Sequence, residues 1–330
     1  MFNNSSKLLF MFMLIFSSLI SISSNSWFSM WIGLEMNLMS FIPLMMDNKL
    51  MSSESSIKYF LIQTLSSLIL LFSFILMLFY QSNLFKILML ISLLLKMGAA
   101  PFHFWFPSVL EGLSWTNSFM LMTWQKLTPM ILVSYILNYK FMFILIILSA
   151  MISTFMGMNQ NSLRKLLAFS SINHLSWMIS SLLISNLMML LYFILYSLMT
   201  FSIILYFNMF NISYINQLYS MFFYNKYFKY LMLFNMISYD GLPPFLGFFL
   251  KWLIMQNLCF LNMYSLLVLI MIFTLFTLFY IYMLMYFSFI MLNYFELKMI
   301  NYLHFNNFFL HLLMFILFMN FLGLLFMFLY

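Results

Sequence analysis

The chain has 330 residues, of which 66% are hydrophobic and only 6% are charged. Ordinary soluble domains carry about 25% charged residues, so a water-soluble globule is excluded and an all-α polytopic membrane protein remains. The net charge of +7 does not mark a nucleic-acid partner, because the thirteen basic residues lie scattered between apolar runs and form no basic stripe. A bilayer core requires roughly 20 apolar residues per spanning helix. In chain order, the apolar runs predict helices over 8–24, 27–46, 57–80, 84–107, 117–138, 141–159, 165–185, 187–210, 228–258, 263–291 and 306–330. The runs are continuous and do not alternate with period two, which excludes a membrane β-barrel. The longest polar stretches lie near 47–58, 211–227 and 293–307, too short for a soluble domain. The whole chain 1–330 therefore reads as a single integral membrane domain of about 11 transmembrane helices.

An odd number of spans puts the two termini on opposite sides of the membrane. The N-terminal side then carries Lys7, Lys49, Lys58, Arg164, Lys165, Lys226, Lys229 and Lys298, and the other side only Lys86 and Lys140. By the positive-inside rule the N-terminus faces the compartment of synthesis. Lys7 and the run 8–22 have the look of a signal peptide, but no A-x-A-like cleavage site follows. Ala occurs four times, Val three times and Arg once, against 37 Met and 45 Phe. Helix propensity would favour Ala. The composition instead fits strong AT mutational bias with AUA read as Met, the signature of an animal mitochondrial genome. An AT-rich bacterium is the alternative, though it would not inflate Met. In the mitochondrial reading the protein is multi-pass in the inner membrane, with its N-terminus in the matrix and its C-terminus in the intermembrane space.

Four charges are left inside apolar runs: Glu35, Lys96, Lys126 and Lys251. Each costs roughly 2.5–3.5 kcal/mol at a helix centre on insertion scales. Snorkelling or structural pairing is the bland explanation. An acid and three lysines on four predicted helices point instead to a proton or ion path. The backbone adds to this. Lys96 opens the stretch Lys96-Met97-Gly98-Ala99-Ala100-Pro101, and Lys251 follows Asp240-Gly241-Leu242-Pro243-Pro244-Phe245-Leu246-Gly247. Gly98, Pro101, Gly241, Pro243 and Pro244 are the expected helix-break residues, since proline removes a donor and clashes with the preceding turn. Carbonyls near Met97, Tyr239 and Asp240 then lose their helical partners, and in lipid such groups must face protein or water. The breaks fall in the fourth and ninth predicted spans. Five helices is an odd number, so the pattern predicts two inverted five-helix repeats with broken helices. Repeat one covers approximately 8–138 and repeat two approximately 141–291, with an extra C-terminal helix at 306–330. Pro129 lies one turn after Lys126 and loosens that helix too.

Other chemistry finds little support. A single cysteine, Cys259, excludes an internal disulfide and a thiolate cluster. The histidines, His103, His174, His304 and His311, supply no clear facing pairs for haem. His174 lies in the polar run Ser170-Ser171-Ile172-Asn173-His174 and is either an additional relay or a structural histidine. No phosphate loop, dinucleotide fingerprint or metal cluster occurs, so no cofactor and no metal are expected on this chain.

The residues also resemble a known family. Trp31-Ile32-Gly33-Leu34-Glu35-Met36-Asn37, Lys58 to Thr64 (KYFLIQT), Lys96 to Pro107 (KMGAAPFHFWFP), Thr123 to Pro129 (TWQKLTP), Arg164 to Met178 (RKLLAFSSINHLSWM) and Gly241 to Trp252 (GLPPFLGFFLKW) occur in order. Together they are similar to the mitochondrial NADH dehydrogenase subunit 2 family, antiporter-like membrane subunits of respiratory complex I. KMGAAPFHFW is shared with the broader antiporter-like group, and TWQKLTP with GLPPFLGFFLKW narrows it. The resemblance implies that Glu35 is the acidic partner and Lys96 the broken-helix lysine of a first half-channel. It implies that Lys126 is the connecting lysine and Lys251 the broken-helix lysine of the second half. It also implies proton translocation coupled to NADH oxidation and ubiquinone reduction on other subunits, which would hold the flavin and iron–sulfur clusters. The expected partners are other complex I membrane-arm subunits, lipids and protons. A stand-alone secondary transporter and a purely structural scaffold remain the alternatives from the residues alone.

Overall fold

The structure is a computed structural model that describes residues 5–47, 49–80, 82–221, 226–243 and 245–290. The expected helix 306–330, together with His304, His311, Lys298 and the break residue Pro244, lies outside the described residues. Among those described, the regular structure is helical. The helices are α1 (Ser5–Ser23), α2 (Trp27–Met45), α3 (Leu50–Tyr80), α4 (Asn83–Met97), α5 (Trp105–Gly112), α6 (Trp115–Met122), α7 (Trp124–Ser134), α8 (Tyr139–Gly157), α9 (Leu163–Ile184), α10 (Asn186–Phe210), α11 (Ile215–Met221), α12 (Lys226–Asp240), α13 (Leu246–Phe260) and α14 (Tyr264–Ile290). Six of them, α1, α2, α3, α8, α9 and α10, are long and apolar enough to cross a membrane. The chain divides into two compact units, residues 1–149 and 150–330.

In the first unit, α1 and α2 form a close antiparallel pair. A Cβ added at Gly33 would lie 2.8 Å from Ser21 Cβ and 3.0 Å from the Ser17 carbonyl oxygen. Small residues at the contact let the two backbones approach, as membrane helices require. Ser26 caps α2 by accepting from the Ser29 N–H. The helix α3 begins at residue 50, seven residues before the sequence-based start at 57. That polar stretch is helical, with its hydroxyls bonded to its own backbone. Ser52 Oγ donates to Lys49 O and Ser53 Oγ to Leu50 O, and Lys58 pairs with Glu54 at 2.6 Å across one turn. At about 1.5 Å per residue, a 31-residue helix exceeds the roughly 30 Å hydrocarbon core, so part of it lies outside the core.

The expected helix 84–107 is interrupted, as its glycine and proline suggested. It becomes α4 and α5, with Gly98 in the left-handed region at φ 70° closing α4. The expected helix 117–138 is interrupted as well, but at Thr123 and not at Pro129. Pro129 lies inside α7. Thr123 Oγ1 donates back to Phe119 O at 2.8 Å, and Lys126 N–H bonds Thr123 O, so one tight turn separates α6 from α7.

In the second unit, α9 is the central helix: nearly all of its residues are buried. Its many serines bond their own backbone three residues earlier, as Ser170 does to Leu167 O and Ser176 to Asn173 O. That satisfies hydroxyls which would otherwise be costly in an apolar setting. Ser185 caps α10, and Asn211 in the left-handed region ends it. The expected helix 228–258 is divided into α12 and α13. The turn between them carries Gly241 at φ 79°.

Candidate functional site

Every free carbonyl at the end of α4 except that of Met97 has a donor. Leu94 O accepts from Ala99 N–H, and Leu95 O accepts from both Gly98 N–H and the Trp105 indole at 3.1 Å. Lys96 O accepts from Gln63 Nε2 of α3 at 3.2 Å. The break is thus closed by neutral donors, and the Lys96 amine is left for another purpose. Lys96 is only 6% exposed. It lines a small cavity shared with Asn37, Tyr59, Gln63, Gln125 and Thr128. Gln125 Nε2 donates to Asn37 Oδ1 at 3.1 Å, and Tyr59 O–H donates to Gln125 Oε1 at 3.4 Å. Such a rim offers the two to four polar partners that a buried water needs.

Glu35 is half-buried on α2 and is the acid that interacts electrostatically with Lys96. Lys126, 1% exposed, lies one turn into α7, with its amine 4.7 Å from the centre of the Phe106 ring. A desolvated cation over an aromatic face gains about 2 kcal/mol. Glu35, Lys96 and Lys126 therefore belong to one unit. The amides and Tyr59 around them escaped the sequence reading, although Asn37, Gln63 and Gln125 stood within the quoted motifs. An uncharged polar residue in an apolar run is a weaker signal than a charge.

The second unit gathers a different set. Lys251 on α13 is buried, and its amine donates to Asp240 O, the last carbonyl of α12. This carbonyl is one that the sequence left without a helical partner. The same amine lies 5.9 Å from the centre of the Trp177 ring on α9. One turn earlier on α9, His174 Nδ1 is 2.8 Å from the Tyr192 hydroxyl. The His174 ring is 5.0 Å from that of Tyr196 and 4.4 Å from that of Tyr239. The histidine is thus packed against the helix that ends at the break. Asp240 is buried and interacts electrostatically with Lys251. It was visible in the sequence as the residue before Gly241, but nothing there marked it as buried beside the amine.

The break itself depends on glycine. A Cβ at Gly247 would collide with Ser238 O, and one at Gly241 would lie 2.9 Å from Gly247 C. Two backbones cross here with no room for a side chain. Among the described residues, no three His, Cys, Asp or Glu gather to hold a metal ion, and Cys259 is exposed.

Comparison with known proteins shows the family of the chain. The family described as NADH:quinone oxidoreductase/Mrp antiporter, TM, matches residues 24–277. The chain is 50% identical over 308 residues to the NADH-ubiquinone oxidoreductase chain 2 of Anopheles gambiae, covering 91% of this chain and 90% of that one. It is 43% identical to that of Locusta migratoria, covering 87% and 86%. It is 36% identical to that of Oryctolagus cuniculus, covering 76% of each. Its fold is similar to a chain of respiratory complex I from Thermus thermophilus with bound aureothin, at TM-score 0.85 and 21% identity, covering 98% of this chain and 78% of that one. A chain of the Mrp complex from Dietzia sp. DQ12-45-1b is similar at TM-score 0.72 and 13% identity, covering 82% and 58%. By its match to the family over residues 24–277 and by its identity to these relatives, the chain belongs to the NADH-ubiquinone oxidoreductase chain 2 family, within the wider NADH:quinone oxidoreductase/Mrp antiporter membrane proteins.

Proposed function

We propose that the chain is a core membrane-arm subunit of respiratory complex I that translocates protons across the inner mitochondrial membrane. NADH oxidation and ubiquinone reduction, on other subunits that carry the flavin and iron–sulfur clusters, supply the driving force. One observation supports this reading above the others: each of the two helix breaks, at Gly98 and at Gly241, stands beside a buried lysine with an acid in electrostatic range. A scaffold would have no use for amines whose burial opposes insertion.

In the first unit, Lys96 holds the proton, Glu35 sets its charge balance and the amide-lined cavity admits water. Lys126 is the next carrier. In the second unit, Lys251 is the carrier and His174 an additional relay, with Tyr192 as its hydrogen-bonded neighbour. Gly98, Pro101, Gly241 and Pro243 keep the helices open at these points. The eight-to-two distribution of basic residues puts the N-terminus in the matrix and the C-terminus in the intermembrane space. The two breaks support the reading of two inverted repeats, 8–138 and 141–291, with the helix 306–330 beyond them.

The test is Lys126→Met in the assembled complex, within sealed inner-membrane vesicles. Met keeps most of the stem volume and removes the titratable amine. NADH-driven acidification per electron is expected to fall while the complex stays assembled. Unchanged acidification in the assembled variant would overturn the proposal.

A further inference from the structure

The second unit contains a carboxylate that the proton path above leaves unused. Among six acidic residues in the chain, Asp240 is buried, at 5% exposure, and it is the last residue of α12 at the break. A carboxylate at a helix C-terminus faces the negative end of the helix dipole, an unfavourable place unless a cation is near. That cation is Lys251. Its amine bonds the main-chain carbonyl of Asp240 itself. Covalent geometry then keeps the Asp240 carboxylate within about 8 Å of the amine. The hydrogen bond of the Lys251 amine goes to this main-chain oxygen and not to the Asp240 carboxylate.

We infer that Asp240 is the charge partner of Lys251, so that the second break holds its own exchangeable carboxylate–amine pair. The pair exists in two forms, ammonium with carboxylate and neutral amine with carboxylic acid. The proton lost by the one is gained by the other, or is passed on while the partner holds the charge. The surroundings suit this. On α12, Tyr239 precedes Asp240, and on α14, Tyr280 interacts with it electrostatically. On α9, His174 packs on Tyr239 and Trp177 faces the amine. On α10, Tyr196 lies 6.2 Å from Tyr239 between ring centres. Apart from His174, these neighbours do not titrate near neutrality. Lys251 and Asp240 are thus the two full charges of the break, and each interacts electrostatically with the other. At about 8 Å and an effective dielectric of about 20, one unit charge changes that affinity about thirtyfold.

The inference rests on the proton-translocation reading and deepens it. Its test is Asp240→Asn in the assembled complex, with Asp240→Glu beside it. Both retain the main-chain carbonyl that Lys251 uses, so the Asn variant removes only the charge. Asp240→Asn is expected to lower NADH-driven acidification at least tenfold through this unit, and Asp240→Glu to restore most of it, which a mere packing role would not do. If the Asn variant does not assemble, Asp240→Ala replaces it, with the same loss expected. Acidification at the normal level in Asp240→Asn, while Lys126→Met fails to pump, overturns this inference and leaves the translocation reading standing. Normal acidification in both variants overturns the two together.

Discussion

Replacing Lys96 by Met should separate stability from function in one residue. Lys96 is almost fully buried, and its backbone carbonyl is bonded by Gln63 whatever side chain it carries. Removing a charged amine from mid-membrane relieves about 2.5–3.5 kcal/mol on insertion scales. A volume-conserving swap costs less than about 1.5 kcal/mol. The net is a gain of about 1 kcal/mol or more, read as a raised melting temperature of the assembled complex. Pumping should fall, because the cavity beside Asn37 and Gln125 has lost its titratable group. A charge at about 6 Å and an effective dielectric of about 20 is worth roughly 3 kcal/mol, the scale on which Glu35 would act on Lys96 at that separation. Glu35→Gln alone should therefore also lower acidification. Added to Lys96→Met it should cost little more, leaving a coupling of up to about 3 kcal/mol in the double-mutant cycle. Acidification per NADH in sealed vesicles, with native electrophoresis for assembly, measures all three variants. Normal pumping by assembled Lys96→Met, strict additivity of the cycle, or loss of assembly with a depressed melting temperature would each refute the reasoning.

Gly247→Ala should damage the second break more than any conservative change around it, because its methyl would overlap Ser238 O, a backbone atom that cannot swing away. Reduced assembly on native gels is expected, and a normally assembled, normally pumping variant would show that the crossing of the two backbones is looser than described. A protease site appended to the N-terminus should be protected in mitoplasts, whose outer inner-membrane face is exposed; cleavage there would reverse the topology proposed from the basic residues.

The long spans were legible because a continuous apolar run permits nothing else in lipid. The predicted and observed bounds of α2 and α10 differ by no more than one residue. The breaks at Gly98 and Gly241 were legible because glycine takes a positive φ most readily, and proline marked the missing donors. The interruption at Thr123 carried no such mark: threonine is ordinary in a helix, and it was the turn that used its hydroxyl against Phe119 O. The start of α3 was placed late because Ser and Glu read as loop residues, while in the structure the serine hydroxyls bond carbonyls three residues earlier and Glu54 pairs with Lys58 across one turn. The charged site residues were visible one by one, since a charge in an apolar run is conspicuous. Their companions were not. Gln63 lies 33 residues from Lys96, and Asp240 is separated from Lys251 by the whole break, so only folding shows that they meet.

The two breaks solve the same backbone problem in different ways, and the difference decides which substitutions are clean. At the end of α4, the carbonyls of Leu94, Leu95 and Lys96 are held by backbone N–H groups, an indole and an amide, all neutral and indifferent to the charge on Lys96. Emptying Lys96 of its proton leaves that hydrogen bonding in place. At the end of α12, the carbonyl of Asp240 is held by the Lys251 amine itself. A charge-assisted bond is roughly twice as strong as a neutral one, so a change in the charge of Lys251 also changes what holds the break. Lys251→Met would go further and leave a buried carbonyl without its donor, a cost of about 1–3 kcal/mol. A loss of pumping in that variant would mix a missing proton carrier with a disturbed backbone, whereas Lys96→Met would not. Asp240→Asn avoids the difficulty, because the main-chain acceptor is untouched and only the carboxylate charge disappears. In the second unit, the charge partner is therefore the more informative residue to change, and in the first unit it is the lysine.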